Sequence, residues 1–241
     1  MVIFMFMELS KLLTIVIPCK NEDMTIQKSL SLLNYQKKIR NVRVIVCDVS
    51  DDEITSFLLQ NRTNDNFDLE IIGGGLPSVA RNKGAKLSKT PFILFLDADV
   101  FLLDPNCLVD SVNQMMDEEL DLITCKFRTT TGEYNYVFKI FDLIQKIFKP
   151  ISPFCVGGFM MIRNSEFKKI GGFDEDAKIA EDYLLSKQIN PKKFKISNLN
   201  VFTTPRRFKK KGIIYMVKIM IGSFLNKNNK LFFQDDKNYW S

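Results

Sequence analysis

Residues 91–99 read Pro-Phe-Ile-Leu-Phe-Leu-Asp-Ala-Asp, an apolar run that ends in two carboxylates. Such a run is typical of a strand that is buried on both faces of a parallel sheet. Residues 12–18 (LLTIVIP) and residues 42–47 (VRVIVC) have the same character. Segments with helical spacing lie between these runs, so the first half of the chain alternates strand and helix. This alternation predicts an α/β fold with an open, mostly parallel sheet flanked by helices.

Two acidic positions follow predicted strands and should meet at one edge of the sheet. Asp48 and Asp97 each come directly after an apolar run. Ligands of open α/β sheets bind at the carboxyl ends of the strands, so both carboxylates should border one crevice. Asp97 and Asp99 together offer the oxygen ligands that a hard divalent cation such as Mg²⁺ or Mn²⁺ prefers. A second D-x-D, at residues 174–176, is interpreted as part of a surface loop.

The same patterns predict elements in the rest of the chain. Further strands are predicted at residues 69–72, 121–127, 156–163 and 194–202. Helices are predicted at residues 23–33, 53–60, 78–88, 105–116, 134–149 and 179–188, and a second apolar stretch covers residues 213–225. The polar side chains of residues 134–149 fall three or four apart, which indicates an amphipathic helix. Its apolar face is predicted to be aromatic and to hold Tyr134, Phe138, Phe141 and Phe148.

The composition of the 241-residue chain excludes several classes of protein. Hydrophobic residues make up 46% and charged residues 26%, which excludes wholesale disorder, collagen and coiled coil. Histidine is absent, which removes Ser-His-Asp triads and histidine metal sites. The five cysteines include no C-x-x-C pair, so we interpret them as small core side chains in a reducing cytosol.

The net charge of +6 is concentrated near the C-terminus, because residues 191–230 contain eleven Lys or Arg and no Asp or Glu. Residues 205–211 (PRRFKKK) are interpreted as a solvated face, a diphosphate clamp or a membrane-surface patch. The adjacent apolar residues 213–225 favour phosphate together with an anionic membrane. No stretch reaches the ~20 apolar residues that span a bilayer, and residues 2–7 are not typical of a signal peptide. We therefore expect a cytoplasmic protein, peripheral on the cytoplasmic face of the membrane.

Two further segments contain residue types suited to chemistry. Glu181 and Asp182 begin a predicted helix, where the helix dipole alone favours acidic residues. Alternatively, one of these two carboxylates acts as a general base. In a chain without histidine, a carboxylate is the residue type expected to take this role. Residues 75–84 (GLPSVARNKG) place Arg81 in a helix flanked by glycines, which suits either an ordinary turn and helix or phosphate binding.

Together these motifs resemble the family-2 glycosyltransferases, which have the GT-A fold, over residues 12–212. The matching segments are TIVIP (14–18) with Asn21-Glu22, CDVSDD (47–52), ARNKG (80–84), FLDAD (95–99), GGF (157–159), GGFDE (171–175) and Glu181-Asp182. Cys47 and Val49 depart from the family's pattern. The Q..RW motif and transmembrane helices of processive synthases are missing here, which argues for transfer of a single sugar.

The resemblance implies a role for each matching residue. Asp182 would be the general base with Glu181 beside it, Gly157 and Gly158 would lie on the acceptor side, and Asp97 and Asp99 would hold the metal. The residues implied in nucleotide-sugar binding are Pro18, Asn21, Glu22, Asp48, Ser50, Arg81, Asp97, Arg206 and Arg207. Among these, Arg206 and Arg207 would contact the leaving diphosphate.

The implied fold is a single GT-A domain with a Rossmann-like sheet over residues 1–212, followed by an apolar and basic extension over residues 213–241. The implied activity is inverting transfer of one sugar from a UDP- or GDP-sugar to a hydroxyl acceptor, with Mn²⁺ or Mg²⁺ as cofactor. The acceptor would be a glycan or a lipid-linked molecule. An anionic membrane surface would be a further partner. Nucleic acid would not be a partner. Two alternatives are a sugar-phosphate nucleotidyltransferase, whose G..GTR loop is missing here, and a non-catalytic basic module that binds membrane or nucleic acid.

Overall fold

The computed structural model describes residues 8–63 and 65–237, so the apolar residues 2–7 and the last four residues of the predicted extension lie outside the described part. Eight strands form one sheet in the order β3-β2-β1-β4-β7-β6-β8-β5. The strands are β1 (Leu13–Cys19), β2 (Arg43–Asp48), β3 (Asp68–Gly73), β4 (Phe92–Leu96), β5 (Val100–Phe101), β6 (Leu122–Thr129), β7 (Phe159–Arg163) and β8 (Phe194–Thr203). The predicted α/β fold with a mostly parallel sheet is confirmed.

Helices cover both faces of this sheet. They are α1 (Leu9–Leu12), α2 (Asp23–Leu33), α3 (Glu53–Gln60), α4 (Pro77–Leu87), α5 (Cys107–Asp117), α6 (Asn135–Phe148), α7 (Asn164–Lys169), α8 (Glu181–Ser186), α9 (Arg206–Lys211), α10 (Ile213–Leu225) and α11 (Lys230–Gln234). Every predicted strand and helix exists, with ends that differ by a few residues. The sequence patterns missed β5, α1, α7, α9 and α11, which are too short to show a period.

The first four strands behave as their apolar runs predict. Strand β1 pairs in parallel with β2 and β4, and β2 pairs in parallel with β3. Alternate residues of β1 enter the cores on opposite faces of the sheet, as Ile15 and Val16 illustrate. Because the strands are parallel, their carboxyl ends share one edge, where Cys19 of β1 lies opposite Asp48 of β2. Strand β7 then pairs antiparallel with β4 and brings Phe159 beside Leu96 at the same edge.

Helix α4 approaches the sheet closely because Gly84 has no side chain. A Cβ atom added at Gly84 would overlap the side chain of Val16 in β1 and would lie 3.2 Å from the sulfur of Cys47 in β2. This close approach sets the height of α4 above the sheet. It thereby determines where Arg81, one turn earlier, meets the strand ends. All five cysteines are free and buried, as predicted for core side chains.

Helix α6 buries part of its predicted aromatic face together with two polar side chains. Its buried residues are Phe138, Asp142 and Gln145, two of which are polar. Asp142 accepts a hydrogen bond from Arg128 of β6 at 2.8 Å, and the Gln145 side chain donates to the carbonyl of Phe154 at 2.9 Å. These buried partners draw the polar side chains inward. The polar positions of this amphipathic helix are therefore not all on its solvent side.

The C-terminal helices pack on the domain through a small apolar cluster. Ile219 and Phe224 of α10 and Phe233 of α11 join Ile179 and Tyr183 in this cluster. In the described residues, no helix is both long enough and apolar enough to cross a membrane. Residues 206–211 of the basic tract form α9. Gly212 follows this helix with a φ of 78°, a backbone conformation that glycine adopts readily.

Candidate active site

A buried arginine joins two carboxylates that are far apart in sequence. The Arg81 guanidinium donates one hydrogen bond to Asp97 at 2.7 Å and another to Glu181 at 2.6 Å. Its side chain is only 3% exposed. The ring of Phe173 lies 5.3 Å from the guanidinium carbon, so the cation is also in contact with an aromatic face. Arg81 thus connects the end of β4 to the start of α8.

Asp182 occupies the first turn of α8 beside this bridge. Its Oδ2 accepts a hydrogen bond from the backbone N–H of Gly157 at 2.6 Å, and its Oδ1 accepts one from the N–H of Tyr183 at 2.7 Å. Ala180, which precedes the helix, has a left-handed backbone with φ of 52°. A non-glycine residue is uncommon in this conformation and is typical of constrained functional sites.

The environment of Asp182 raises the pKa of its carboxyl group from 3.8 to about 7. Burial contributes most, and the negative charge of Glu181 adds to it. Arg81 and the two backbone N–H groups act in the opposite direction, because they favour the ionised form. A carboxylate whose pKa lies near neutrality exchanges a proton readily at physiological pH, which suits a general base.

Two glycines border the carboxylates at the entry to β7. A Cβ atom added at Gly157 would lie 3.1 Å from a guanidinium nitrogen of Arg81 and 3.2 Å from Oδ2 of Asp182. The carbonyl of Gly158 accepts a hydrogen bond from the N–H of Asp97 at 3.1 Å. The backbone of Gly157 and Gly158 therefore lies between Asp97 and Asp182. The family resemblance predicts that both glycines lie on the acceptor side; the structure brings Gly157 against Asp182 and Gly158 against Asp97.

A second acidic group lies at the other end of the D-x-D triplet. Arg206 donates a hydrogen bond to Glu22 at 2.6 Å and lies 3.9 Å from Asp99. Burial and the negative charge of Asp97 raise the pKa of Asp99, whereas Arg206 and Arg207 lower it. Burial also raises the pKa of Glu22. The positive charges of Arg206 and Arg207 therefore do not fully offset the effect of burial on the carboxylates of Asp99 and Glu22.

The donor atoms present suit a divalent cation that shares its ligands with a phosphate. The Oε2 atom of Glu22 is buried and has no hydrogen-bond partner within the described residues. Those residues contain no ready-made group of three or more His, Cys, Asp or Glu side chains placed to hold a metal. Mg²⁺ commonly takes one or two carboxylates and completes its shell with water and substrate phosphate oxygens. Asp97 and Asp99 fit that requirement.

The loops after β1 and β2 are tied together by short polar contacts. The hydroxyl of Ser50 donates to Asp48 at 2.6 Å and accepts from the N–H of Asn21 at 2.8 Å. Ser56 donates to the second oxygen of Asp48 at 3.3 Å. Asn21 adopts a left-handed backbone with φ of 52°, and Glu22 follows it directly. Through this loop the Asp48 group and the Asp99 group border the same edge of the sheet.

The predicted residues thus fall into neighbouring groups. One group contains Gly157, Gly158, Glu181 and Asp182, and Arg81 links it to Asp97. The other contains Asn21, Glu22, Asp48, Ser50, Asp99, Arg206 and Arg207, with Pro18 beside Cys47 in the adjoining strands. Two contributors were missed from the sequence. Phe173 could have been found from the GGF segment at residues 171–173, whereas no sequence pattern marks Ser56 as a partner of Asp48.

A separate cavity of about 420 Å³ lies behind α8, away from the carboxylates. Leu184 of α8 and Lys187, which directly follows this helix, line one side of it, and Lys227, Lys230 and Phe233 line the other. Neither Asp97 nor Asp182 borders this space. The candidate active site lies instead at the edge of the sheet, where Arg81 and Glu181 are buried and Arg206 is half exposed.

The fold and this arrangement of carboxylates are those of an α/β protein whose candidate site lies at the carboxyl ends of its strands. Residues 14–171 match the family described as Glycosyl transferase family 2. This match covers more than half of the chain, so the protein belongs to that family. No curated protein sequence matches the chain.

Solved structures share the fold at low sequence identity. TarS of S. aureus is 18% identical with a TM-score of 0.61, and the match covers 95% of this chain and 41% of that one. TarS 1-349 in complex with UDP-GlcNAc is 19% identical with a TM-score of 0.61, covering 80% and 58%. The mannosyltransferase PcManGT from Pyrobaculum calidifontis, in complex with GDP-Man and Mn²⁺, is 15% identical with a TM-score of 0.65, covering 95% and 68%. This chain therefore spans less than half of the TarS chain, and the likeness concerns the fold.

Proposed function

We propose that this protein transfers a single sugar from a nucleoside-diphosphate sugar to a hydroxyl acceptor, with inversion at the anomeric carbon. The bridge formed by Arg81 carries the proposal. One guanidinium binds both Asp97 and Glu181. Asp97 lies at the edge of the sheet that we propose binds the donor, and Glu181 directly precedes the proposed base, Asp182. A reaction that joins two substrates needs donor and acceptor groups held in fixed relation, which this buried link provides.

Asp182 takes the proton of the attacking hydroxyl. Its raised pKa of about 7 makes the carboxylate a stronger base than an ordinary aspartate, while half of the molecules remain ionised near neutral pH. The backbone N–H groups of Gly157 and Tyr183 hold the carboxylate in one orientation. Attack on the face opposite the leaving diphosphate inverts the anomeric carbon through a transition state of oxocarbenium character.

Arg206 and Arg207 neutralise charge on the departing diphosphate. Arg206 is half exposed and its partner Glu22 lies beside Asp99, so its guanidinium can reach a ligand at this edge. Fixed positive charge at the place where negative charge develops lowers the barrier. A divalent cation, held by Asp97 and Asp99, would supply further neutralisation of the diphosphate as a Lewis acid. TarS 1-349 with UDP-GlcNAc and PcManGT with GDP-Man and Mn²⁺ support this type of donor and cation.

The acceptor is proposed to be a glycan or a lipid-linked molecule, used on the cytoplasmic side of a membrane. The Gly157-Gly158 segment and Asp182 form the acceptor side. The family match favours glycosyl transfer over the two alternatives, a nucleotidyltransferase and a non-catalytic basic module. Nucleic acid is not proposed as a partner.

A thermal-shift screen of UDP, GDP, dTDP and CMP, with and without Mn²⁺, tests the donor site. A nucleotide present at about 100 times its Kd stabilises the protein by about 2.7 kcal/mol, which raises the melting temperature measurably. We expect one diphosphate to stabilise the protein only with metal, and Asp99→Ala to abolish the effect. Asp176→Asn, in the exposed second D-x-D, is the matched control and should respond as wild type. No shift with any nucleotide in either condition would refute the proposal.

A further inference from the structure

Helix α6 carries a stripe of one tyrosine and three aliphatic side chains on its outer side. Tyr136, Ile140, Leu143 and Ile147 are 56–60% exposed. These positions recur every three or four residues and so lie on one face of the helix. The opposite face packs on β6, where Phe127 stacks on Phe138 and Arg128 pairs with Asp142. The aromatic face predicted from the sequence is largely covered by protein, and the exposed apolar face is this second one.

Helix α10 carries a stripe of the same kind. Ile214, Val217, Ile221 and Leu225 share one face and are between 38% and 75% exposed. The opposite face holds Ser223, which is buried. Single exposed apolar residues are common, but regular stripes on two helices indicate an interaction surface.

The two helices lie side by side. Near the start of α6, Tyr134 stacks on Phe208 of α9 at 5.2 Å, immediately before α10. Near its end, Phe148 packs on Phe224 of α10 at 5.0 Å. Because both ends are in contact, the α9–α10 segment runs along α6. Both stripes are exposed to solvent, and the residues at the two ends of α6 that make these contacts belong to its aromatic face rather than to its stripe.

The exposed charged side chains of α6 and α10 are lysines. Lys139 and Lys146 are exposed on one flank of the α6 stripe, and Lys218 lies within the α10 stripe. Residues 206–225 contain no acidic residue, and the single acid of α6, Asp142, is buried against Arg128. An apolar face bordered by lysines complements a lipid interface with anionic headgroups. A second copy of the same face would instead bring lysines against lysines, which opposes self-association.

We propose that the outer faces of α6 and α10, here called the lysine-bordered stripes, dock on an anionic membrane surface. The aliphatic side chains enter the boundary between headgroups and acyl chains, and the lysines contact the headgroups. The inner side of α10 packs in the same apolar cluster as Ile179 and Tyr183, which flank Asp182. Docking therefore brings the acceptor side of the site close to the bilayer. This consequence of docking rests on the proposed function, which defines the acceptor side.

Vesicle flotation of the full chain tests docking without reference to catalysis. Vesicles of phosphatidylcholine alone are compared with vesicles that also contain phosphatidylglycerol, at low and high salt. We expect flotation with the anionic vesicles at low salt and much less with the neutral ones. Because no donor or acceptor is present, failure here leaves the proposed glycosyl transfer to its own thermal-shift test.

Paired variants separate the apolar and the charged contributions. The double variant Leu143→Ser with Ile147→Ser should lower vesicle partitioning at least about tenfold, because two large aliphatic side chains leave the lipid interface. Ile54→Ser with Phe57→Ser is the matched control, since both residues are exposed on α3 at the far edge of the sheet. Lys139→Glu with Lys146→Glu should weaken partitioning by about fivefold or more per lysine. Lys86→Glu with Lys89→Glu, also exposed, is its control.

Two results would overturn the proposal. One is the absence of flotation of wild-type protein with anionic vesicles at low salt. The other is equal flotation of the stripe variant and of its α3 control, with both variants showing the melting temperature of wild type. A wild-type dimer that becomes monomeric in the stripe variant, without vesicle binding, would assign the stripes to self-association instead.

Discussion

Replacing Asp182 by asparagine should stabilise the protein while removing its catalytic base. In the folded state the pKa of this carboxyl group is about 7, against 3.8 for an ordinary aspartate. Ionising it in the native protein is therefore costly, mainly because the group is buried. An asparagine side chain has nearly the same shape as aspartate and carries no charge. The variant Asp182→Asn therefore keeps the packing of α8 and avoids the cost of ionisation, but its amide oxygen can accept only one of the two backbone N–H hydrogen bonds that the carboxylate accepts.

The size of the gain depends on pH. The difference between a pKa of about 7 and one of 3.8 corresponds to about 4 kcal/mol, at about 1.4 kcal/mol per pKa unit. The folded state binds this proton more tightly than the unfolded state, so wild type loses stability as pH rises from about 4 to about 7. Asp182→Asn lacks this loss. The lost hydrogen bond lowers the stability of the variant by about 1 kcal/mol at every pH. The variant should therefore be slightly less stable than wild type near pH 4 and about 3 kcal/mol more stable near pH 8.

Urea denaturation near pH 5 and near pH 8 measures both proteins without knowledge of the substrates. Asp176→Asn is the control, because the same substitution at an exposed loop carboxylate should change stability by less than about 0.5 kcal/mol. Transfer by Asp182→Asn should fall by about 10²- to 10⁴-fold, since the amide cannot take a proton. Binding of the donor should be unchanged. Equal unfolding free energies for wild type and Asp182→Asn at both pH values would refute the burial argument, and full transfer activity would refute the assignment of the base.

Three other substitutions test the surroundings of the base, the leaving-group side and the support beneath α6. Glu181→Gln removes a negative charge that raises the pKa of Asp182, so the acidic limb of the pH–rate profile should move to lower pH; an unmoved limb would contradict this coupling. Arg206→Gln should lower kcat by about 10²-fold in steady-state assays with the identified donor, and an unchanged kcat would contradict its role at the diphosphate. Asp142→Ala leaves Arg128 buried without its counter-charge and should cost about 3 kcal/mol in urea denaturation, whereas Glu133→Ala, from an exposed ion pair, should cost less than about 1 kcal/mol.

Local patterns were sufficient for most of the secondary structure. Helices α2 and α3 begin and end where the apolar spacing predicts, and the apolar stretch of residues 213–225 forms α10. The strongest strands also follow their apolar runs, because a strand buried on both faces needs apolar side chains at every position. Strand β5 is only two residues long, and its existence depends on pairing with β8 rather than on its own sequence.

Helix α6 shows where a local pattern fails. Counting polar positions assumes that every polar side chain faces water. Asp142 and Gln145 face inward because β6 supplies Arg128 and the chain after α6 supplies the Phe154 carbonyl. Neither partner is visible from the helix alone. As a result, the aromatic face was identified correctly as apolar, but the exposed stripe was missed.

The sequence alone determined the kind of sheet, the edge at which its acidic residues lie and the motifs of the family. These properties depend on apolar spacing and on short segments, which act over a few residues. Only the tertiary structure decided which carboxylates share a partner. Arg81 holds Asp97 and also Glu181, which lies 100 positions further along the chain, and the burial that raises the pKa of Asp182 comes from elements that meet only when the sheet is assembled. Desolvation and charge pairing act through space, so the chemistry of this site emerges only when the chain has folded.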